Sequence, residues 1–414
     1  MDFDSFFASV EQQCNPYFRG KPIGITATNG KTCIIAASRE AKIFGISNGS
    51  RTYDALLWCP DIIFVSANFD KYYEVSKKFL QICQQYTPYI ELFSIDEVFM
   101  DMTQTIHLFG DIPTVITIIK EHLAREIGPF ITVSVGVSYN KLLAKLASKK
   151  NKPNGLFVIT PENRRTVYAI SSLEDICGIG NNIKKRLNIN GIYTLHHLEK
   201  TPLIKLITEF GKIEGIFLKN IGLGIDNDEI IFYTDIPSVK SLSRNYSFDK
   251  NEYNQRFILQ NIYELSEDIA RRLRSLNKKA KTIRFSLRGN RIECGQRTFL
   301  SHTSSGKNIF IACRDFYKQW KWNNLFFPEQ GMVRVISILV ENFIINSETI
   351  SLFQKDRDEK ALTEAIDILN KRFGDYTIRK GFLLNAKKLK IVPNGYLADK
   401  HERTKLALES QISI

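Results

Sequence analysis

The sequence predicts an α+β protein of several domains, and three observations carry that prediction. Through residues 1–165, stretches of strand-like and helix-like apolar spacing alternate, which implies helices crossing between strands of one sheet in the split βαβ manner. Residues 166–235 then turn mostly helical with glycine turns, and a second α+β region follows from 240 to 345. The chain is 414 residues long, enough for about two to four domains that each bury a core.

The elements follow in order. Residues 5–13 carry an apolar stripe at helical spacing. Tyr72, Val75, Phe79, Ile82, Cys83 and Tyr86 mark a clearer amphipathic helix. Residues 91–102 and 131–138 read as strands, and 140–150 as a helix with Leu142, Leu143, Leu146 and Ala147 on one side. Pro153-Asn154-Gly155 is a turn, 156–159 a short strand, and Thr160-Pro161 a helix start with a capping hydroxyl and proline at the first position. Residues 18–67 form a small insertion in this first domain. Trp320, Trp322, Phe326 and Phe327 are expected in a core, the commoner place for aromatic rings. Beyond 346 lies a tail with one amphipathic helix through Ala361, Leu362, Ala365, Ile366 and Leu369.

Composition narrows the setting. Hydrophobic residues make up 43% and charged residues 24%, which excludes a disordered or collagen-like chain. No apolar run approaches the roughly 18 residues of a membrane helix. Asp2 and Asp4 stand where a signal peptide would carry base. Seven cysteines are scattered without a Cys-x-x-Cys pair, so neither a disulfide framework nor a zinc site is expected, and the setting is a reducing cytoplasm with no membrane contact.

The formal charge is +13, which points to a polyanionic partner. Residues 240–345 hold 19 basic against 9 acidic residues, so one segment supplies most of the excess. Residues 282–288, Thr-Ile-Arg-Phe-Ser-Leu-Arg, alternate polar and apolar, which places Arg284 and Arg288 on one strand face with Thr282 and Ser286. Guanidinium and hydroxyl groups on one face suit the phosphate oxygens of a nucleic-acid backbone.

Asp2 and Asp4 flank Phe3, and Asp96-Glu97 interrupt apolar runs on both sides. A straight strand would send Asp96 and Glu97 to opposite faces; a hairpin turn over residues 94–97 would let both project from its tip. Clustered carboxylates call for a neutralising cation, and hard, oxygen-seeking Mg²⁺ is the natural one. Two such ions about 4 Å apart can activate a hydroxyl and stabilise a leaving pyrophosphate.

Together these segments resemble the Y-family, or translesion, DNA polymerases. Asp2-Phe3-Asp4-Ser5-Phe6-Phe7-Ala8-Ser9-Val10-Glu11 is similar to the family's first motif, and Ser94-Ile95-Asp96-Glu97-Val98-Phe99 to its second. Ser134-Val135-Gly136-Val137-Ser138 with Asn140-Lys141, Leu143 to Ser148 and Asn151-Lys152-Pro153-Asn154-Gly155 resembles a third. The likeness spans about residues 1–345.

The resemblance implies a right-hand polymerase: a ferredoxin-like palm (1–17 and 68–165), small fingers (18–67), a helical thumb (166–235) and an α+β little finger (240–345). It implies DNA-directed DNA synthesis in damage bypass, with primer-template DNA and deoxynucleoside triphosphates as partners. By motif position, Asp2, Asp96 and Glu97, with the Phe3 carbonyl, would bind two Mg²⁺ ions. Ser5, Phe6, Phe7, Arg39, Lys42 and Lys152 would meet the nucleotide, Phe7 as a steric gate beneath the sugar. Leu173 to Gly180 resembles a helix-hairpin-helix, so Gly178 and Gly180 join Lys281, Arg284, Arg288 and Arg297 as expected DNA contacts.

Some features depart from the pattern. Arg39 and Lys42 stand where DinB-like members usually have tyrosine and arginine, and the Glu-Ala-Lys form is closer to UmuC-like members. Only Met1 precedes Asp2, where relatives have an apolar strand; a misassigned start or a fragment accounts for this more readily than a truncated strand. Thr349-Ile350-Ser351-Leu352-Phe353 and Gln411-Ile412-Ser413-Ile414 are two candidate sliding-clamp peptides. Two alternatives stay open: a UmuC-like subunit that needs partners, and a catalytically silent DNA-binding protein on the same scaffold.

Overall fold

The computed structural model describes residues 1–27, 33–232, 239–323, 332–345, 353–374 and 377–384. The chain divides into two compact units, one over Met1–Pro237 and one over Ser238–Asn394.

The first unit opens with β1 (Asp2–Phe3), α1 (Phe6–Cys14), β2 (Ile23–Thr26), β3 (Ile34–Ala37), α2 (Arg39–Ile43), α3 (Thr52–Trp58), β4 (Ile63–Ser66) and α4 (Phe69–Gln84). It continues through β5 (Ile90–Ser94), β6 (Glu97–Met100), α5 (Ile112–Glu126), β7 (Val133–Val137), α6 (Lys141–Lys150) and β8 (Leu156–Val158). Five strands form one sheet in the order β5-β6-β1-β7-β8, with β1 antiparallel to both neighbours and β7 parallel to β8. The acidic segment is a hairpin, with Ile95 and Asp96 forming the turn between β5 and β6. Phe3, Phe6, Val10, Phe79, Ile119 and Leu123 share the core beneath this sheet.

Helix α5 is an addition to the expected elements. Its start is marked by Asp111, whose carboxylate accepts from Thr114 N–H at 2.9 Å, and by a proline in the first turn. Its buried stripe is Val115, Ile116, Ile119 and Leu123. A second difference is local. The helix expected from Thr160-Pro161 begins only at Arg164, because Thr160 N–H bonds to the Asn163 side chain at 2.9 Å and makes a turn first.

The insertion is a three-stranded sheet, β3-β2-β4, carrying α2 and α3 over its own small core of Ile34, Ala37, Ala41, Ile46, Ala55, Cys59 and Ile62. After β8 come α7 (Arg164–Ala169), α8 (Asn181–Ile189), α9 (Leu195–Lys200), α10 (Leu203–Phe210) and α11 (Lys212–Leu223). They bury Tyr168, Leu187, Leu198, Leu206 and Leu218, and the Tyr168 hydroxyl donates to the Ile221 carbonyl at 2.8 Å.

Gly136 in β7 explains one motif residue sterically. A Cβ there would lie 2.1 Å from the Ala144 carbonyl oxygen and 2.2 Å from the Ser148 nitrogen, so α6 rests directly on the strand backbone. Gly136→Ala should therefore destabilise this unit by about 3 kcal/mol, at the upper end of ordinary overpacking. Denaturant unfolding of the purified variant checks this; a loss under about 0.5 kcal/mol would show that α6 can shift freely.

The second unit comprises β9 (Ser241–Glu252), α12 (Gln255–Ser275), β10 (Lys278–Arg288), β11 (Ile292–Thr303), α13 (Gly306–Asn323), β12 (Val333–Ile345) and α14 (Gln354–Phe373). Its antiparallel sheet runs β11-β10-β12-β9. Helices α12 and α13 cover one face, with Ile258, Ile262, Ile269, Ile309 and Cys313 against Ile283, Phe285, Ile336, Ile338 and Val340. Trp320 stacks on Phe285 at 5.4 Å, in the core as expected; the side chains of Trp322, Phe326 and Phe327 lie outside the described residues. Helix α14 docks on α12 through Arg274 and Asp367, with N–O distances of 2.5 and 2.9 Å. Among the described residues, no helix is long and apolar enough to cross a membrane.

Candidate active site

The register of the five-stranded sheet assembles the acidic cluster. Asp2 in β1 lies directly opposite Glu97 in β6. Phe3 N–H bonds to the Asp96 carbonyl at 3.0 Å, which locks the hairpin tip to the start of the chain. Ser94 Oγ donates to Asp96 Oδ1 at 2.5 Å and lies 3.4 Å from Glu97 Oε2. The Met1 amine donates to the Val98 carbonyl at 2.8 Å and is buried, which lowers its pKa. Alongside, a cavity of 520 Å³ opens, with Asp2 and Glu97 at its edge and Val98, Met100, Ile116 and Val135 among its walls.

Burial and crowding set the electrostatics. Asp2 is pushed up to about 7, first by burial and then by the neighbouring Glu97, with Lys152 opposing. Asp96 is also raised, chiefly by burial. Burial alone would raise Glu97, but its hydrogen bond with Asp2 and the Lys145 ammonium bring it below the usual carboxylate range. Lys145 Nζ sits 2.7 Å from Glu97 Oε2 and 3.9 Å from the centre of the Phe93 ring, which fixes its position. Lys152 pairs with Asp2, and its Nζ is 3.5 Å from the Phe3 carbonyl.

Three cations, Arg39, Lys42 and Lys152, gather near Asp2 and Asp4. Lys42 is lowered by burial and by the nearby charges of Lys152 and Arg39, while Asp4 and Asp2 pull it back up. Arg39 donates to the Thr132 hydroxyl and lies 3.7 Å from Asp4. Neighbouring lysines and arginines repel one another, and the Asp2 and Asp4 carboxylates offset that repulsion.

The candidate donors for a metal are all oxygen: the carboxylates of Asp2, Asp96 and Glu97 and the Phe3 carbonyl. That set fits a hard divalent ion. Among the described residues, no three His, Cys, Asp or Glu side chains already close on one point, and Lys145 and Lys152 supply the positive charge instead.

Phe7 begins the second residue of α1 and is 7% exposed, its ring stacked on Tyr72 at 4.2 Å and edge-on to Phe69 at 6.1 Å. Tyr72 is pinned from behind, its hydroxyl donating to Glu11 Oε1 at 2.9 Å, while Lys71 holds Glu11 Oε2 at 2.7 Å. Phe6 turns away and stacks on Phe3 at 4.8 Å. Ser5, at φ 51°, precedes the first turn of α1, where helical N–H groups have no helical acceptor.

The expected DNA contacts divide. Gly178 has φ +102°, and a Cβ there would strike the Phe217 ring at 2.6 Å; Gly180 caps α8 with open space before it. Arg284 and Arg288 do stand with Thr282 and Ser286 on the sheet face opposite α12 and α13, although Arg284 also pairs with Glu341 at 2.9 Å. Lys281 sits at a bulge in β10. Arg297 does not join that row. It lies opposite Ile283 on the helix-covered face and pairs with Asp315 at 3.1 Å. Arg271, Arg272 and Arg274 are likewise tied to Asp268 and Asp367, so part of the basic run is structural. Of the clamp candidates, all but Phe353 lies outside the described residues.

The sequence reading missed Asp4, Glu11 and Lys145 as organising groups. All three fall inside motifs already quoted, so the signal was a charged residue amid an apolar flank rather than any spacing rule.

Comparison with known proteins matches residues 1–149 to the impB/mucB/samB family and residues 239–380 to the impB/mucB/samB family C-terminal domain. A DNA polymerase IV of Acetivibrio thermocellus is 31% identical, over 94% of this chain and 97% of that protein. One from Staphylococcus saprophyticus is 34% identical over 83% of this chain and 94% of its own length. Among solved structures, a Y-family DNA polymerase chimera built on Dbh aligns at a TM-score of 0.70 with 26% identity, covering 83% of this chain and 98% of its own. A Dbh ternary complex aligns at 0.52 with 25% identity, with the same coverage of 83% and 98%.

Proposed function

This chain belongs to the impB/mucB/samB family and is a Y-family, DinB-like DNA polymerase acting in translesion synthesis, and from that premise we propose how its residues divide the work. Y-family polymerases generally use divalent metal ions; here we assign two Mg²⁺ ions to Asp2, Asp96, Glu97 and the Phe3 carbonyl. The observation that carries this is the pairing of Asp2 with Glu97 across β1 and β6, with Asp96 at the adjoining turn. When bound, such ions supply the acidity that activates a primer 3′-hydroxyl and the charge that stabilises departing pyrophosphate.

The chain's own groups do the rest. Lys145 holds Glu97 in place. Arg39, Lys42 and Lys152 receive the triphosphate, Lys152 leaving Asp2 to do so, and the first turn of α1 after Ser5 presents backbone N–H groups beside them. Phe6 supports that turn from the core, and Phe7 lies beneath the sugar. The palm is 1–17 and 68–165, the fingers 18–67, the thumb 166–235, the little finger 240–345, and 346–414 a tail that includes the clamp-peptide candidates. Primer-template DNA binds the Gly178–Gly180 turn and the Arg284/Arg288 face, with Lys281 at its edge. The enzyme works in the cytoplasm, consistent with seven free cysteines. Neither open alternative is favoured, because the relatives are named DNA polymerase IV and this chain keeps the acidic trio.

Primer extension on a defined template tests this reading: deoxynucleotides should be added in Mg²⁺ and not in excess chelator. Failure to extend with any divalent ion would favour the silent scaffold. A separate prediction concerns the sheet face. Replacing both Arg284 and Arg288 by alanine should make the log–log salt dependence of duplex binding shallower by about 1.8, at roughly 0.9 per phosphate contact. An unchanged slope would return these arginines to mere solvation.

A further inference from the structure

Asp4 is 3% exposed, yet it lies outside the metal and nucleotide assignments above. Both of its oxygens are engaged. Oδ1 accepts from the Ser134 hydroxyl at 2.7 Å. Oδ2 accepts from the Thr132 hydroxyl at 2.7 Å and from the backbone N–H of Asn154 at 2.7 Å. Two cations reach it as well, Arg39 at 3.7 Å and Lys152 at 4.0 Å. Thr132 links the two sets, accepting from Arg39 while it donates to Asp4.

The Asn154 bond matters because of the turn it holds. Asn154 has φ 53°, a left-handed conformation that costs a non-glycine residue about 1–2 kcal/mol unless its surroundings support it. Gly155 follows, where a Cβ would fall 1.7 Å from the Asn151 carbonyl oxygen. The same turn is gripped from its other side by Lys120 in α5, whose ammonium donates to the carbonyls of Asn154 at 2.6 Å and Gly155 at 3.1 Å. Lys152, two residues before Asn154, is thus carried on a turn fixed at both ends of its peptide groups. One buried carboxylate, just after β1, sets that turn and, through Thr132, sets Arg39 from the insertion.

We propose that Asp4 is a positioning residue for the incoming nucleotide: it holds Lys152 and Arg39 at one separation matched to the triphosphate, with Lys120 as the outer half of the clamp. This rests on the reading of Lys152 and Arg39 as triphosphate cations. Losing the clamp lets both long side chains spread over many rotamers, so the loss falls on nucleotide binding and spares the acidic cluster. Asn in place of Asp4 keeps one oxygen for Thr132 and Asn154 and turns its amide to Ser134, whose hydroxyl can accept.

The test is an equilibrium titration of a non-hydrolysable deoxynucleoside triphosphate onto the polymerase–primer-template complex, with single-turnover insertion measured in parallel. Asp4→Ala should raise the nucleotide Kd by at least ~30-fold while the maximal insertion rate stays within about fivefold. Asp4→Asn should recover most of that affinity, to within about fivefold of wild type. Lys120→Met, which no ion pair joins to Asp2, Asp96 or Glu97 among the described residues, should raise Kd by about 3–10-fold with the rate unchanged, and it decides the matter if Asp4→Ala does not fold. Unchanged Kd in Asp4→Ala, or a loss confined to its rate, would overturn the proposal, as would unchanged Kd in Lys120→Met where Asp4→Ala does not fold. A wild-type complex that binds no nucleotide at all would instead overturn the assignment of the triphosphate site.

Discussion

Phe7→Ala should raise ribonucleotide insertion relative to deoxynucleotide insertion by at least ~100-fold, equivalent to about 2.7 kcal/mol of lost discrimination. The reason lies in how the ring is held. Phe7 stacks on Tyr72 at 4.2 Å, and Tyr72 cannot yield because its hydroxyl is tied to Glu11. A 2′-hydroxyl pressed against that ring would meet a fixed apolar face that offers it no acceptor, so the ribose would be refused by a clash. Truncating a buried phenyl also costs about 3–5 kcal/mol of stability, so absolute rates of the variant will fall. The ratio of the two insertion rates on one preparation cancels the folded fraction. A variant with wild-type selectivity would make Phe7 a core residue only.

Asp96→Ala is the second large effect, a loss of at least ~1,000-fold in insertion, or about 4 kcal/mol. Asp96 is the one acid of the cluster with no lysine paired to it in the described structure; its short hydrogen bond is to Ser94 at 2.5 Å. It sits at a hairpin turn, so its removal leaves β5 and β6 paired, and the sheet face with Arg284 and Arg288 lies in the other unit. Primer-template affinity should stay within a few fold. Near-wild-type insertion would refute the metal assignment.

Much of this was legible because the deciding information was local. The turn at Ile95-Asp96 could be argued from the need to bring two adjacent carboxylates together, and the hairpin supplies it. The Arg284 and Arg288 face followed from period two and survives in the register with β11 and β12. What stayed hidden depends on partners far along the chain. Asp4 meets an amide 150 residues away, and Lys145 reaches Glu97 across 48. Arg297 looked like one more member of a basic run; only the strand register shows it on the helix-covered face beside Asp315. Helix α5 was missed although its Asp111 cap and its apolar stripe are both local, because its β-branched residues obscure the helical period.

We assign the ions of nucleotidyl transfer to Asp2, Asp96 and Glu97 together. Counting bound Mn²⁺ by electron paramagnetic resonance, in the complex with primer-template and a non-hydrolysable nucleotide, tests it without relying on turnover. Wild type should bind two ions per chain, and Asp96→Ala should lose at least one at the same free Mn²⁺; two ions in both proteins would contradict the claim.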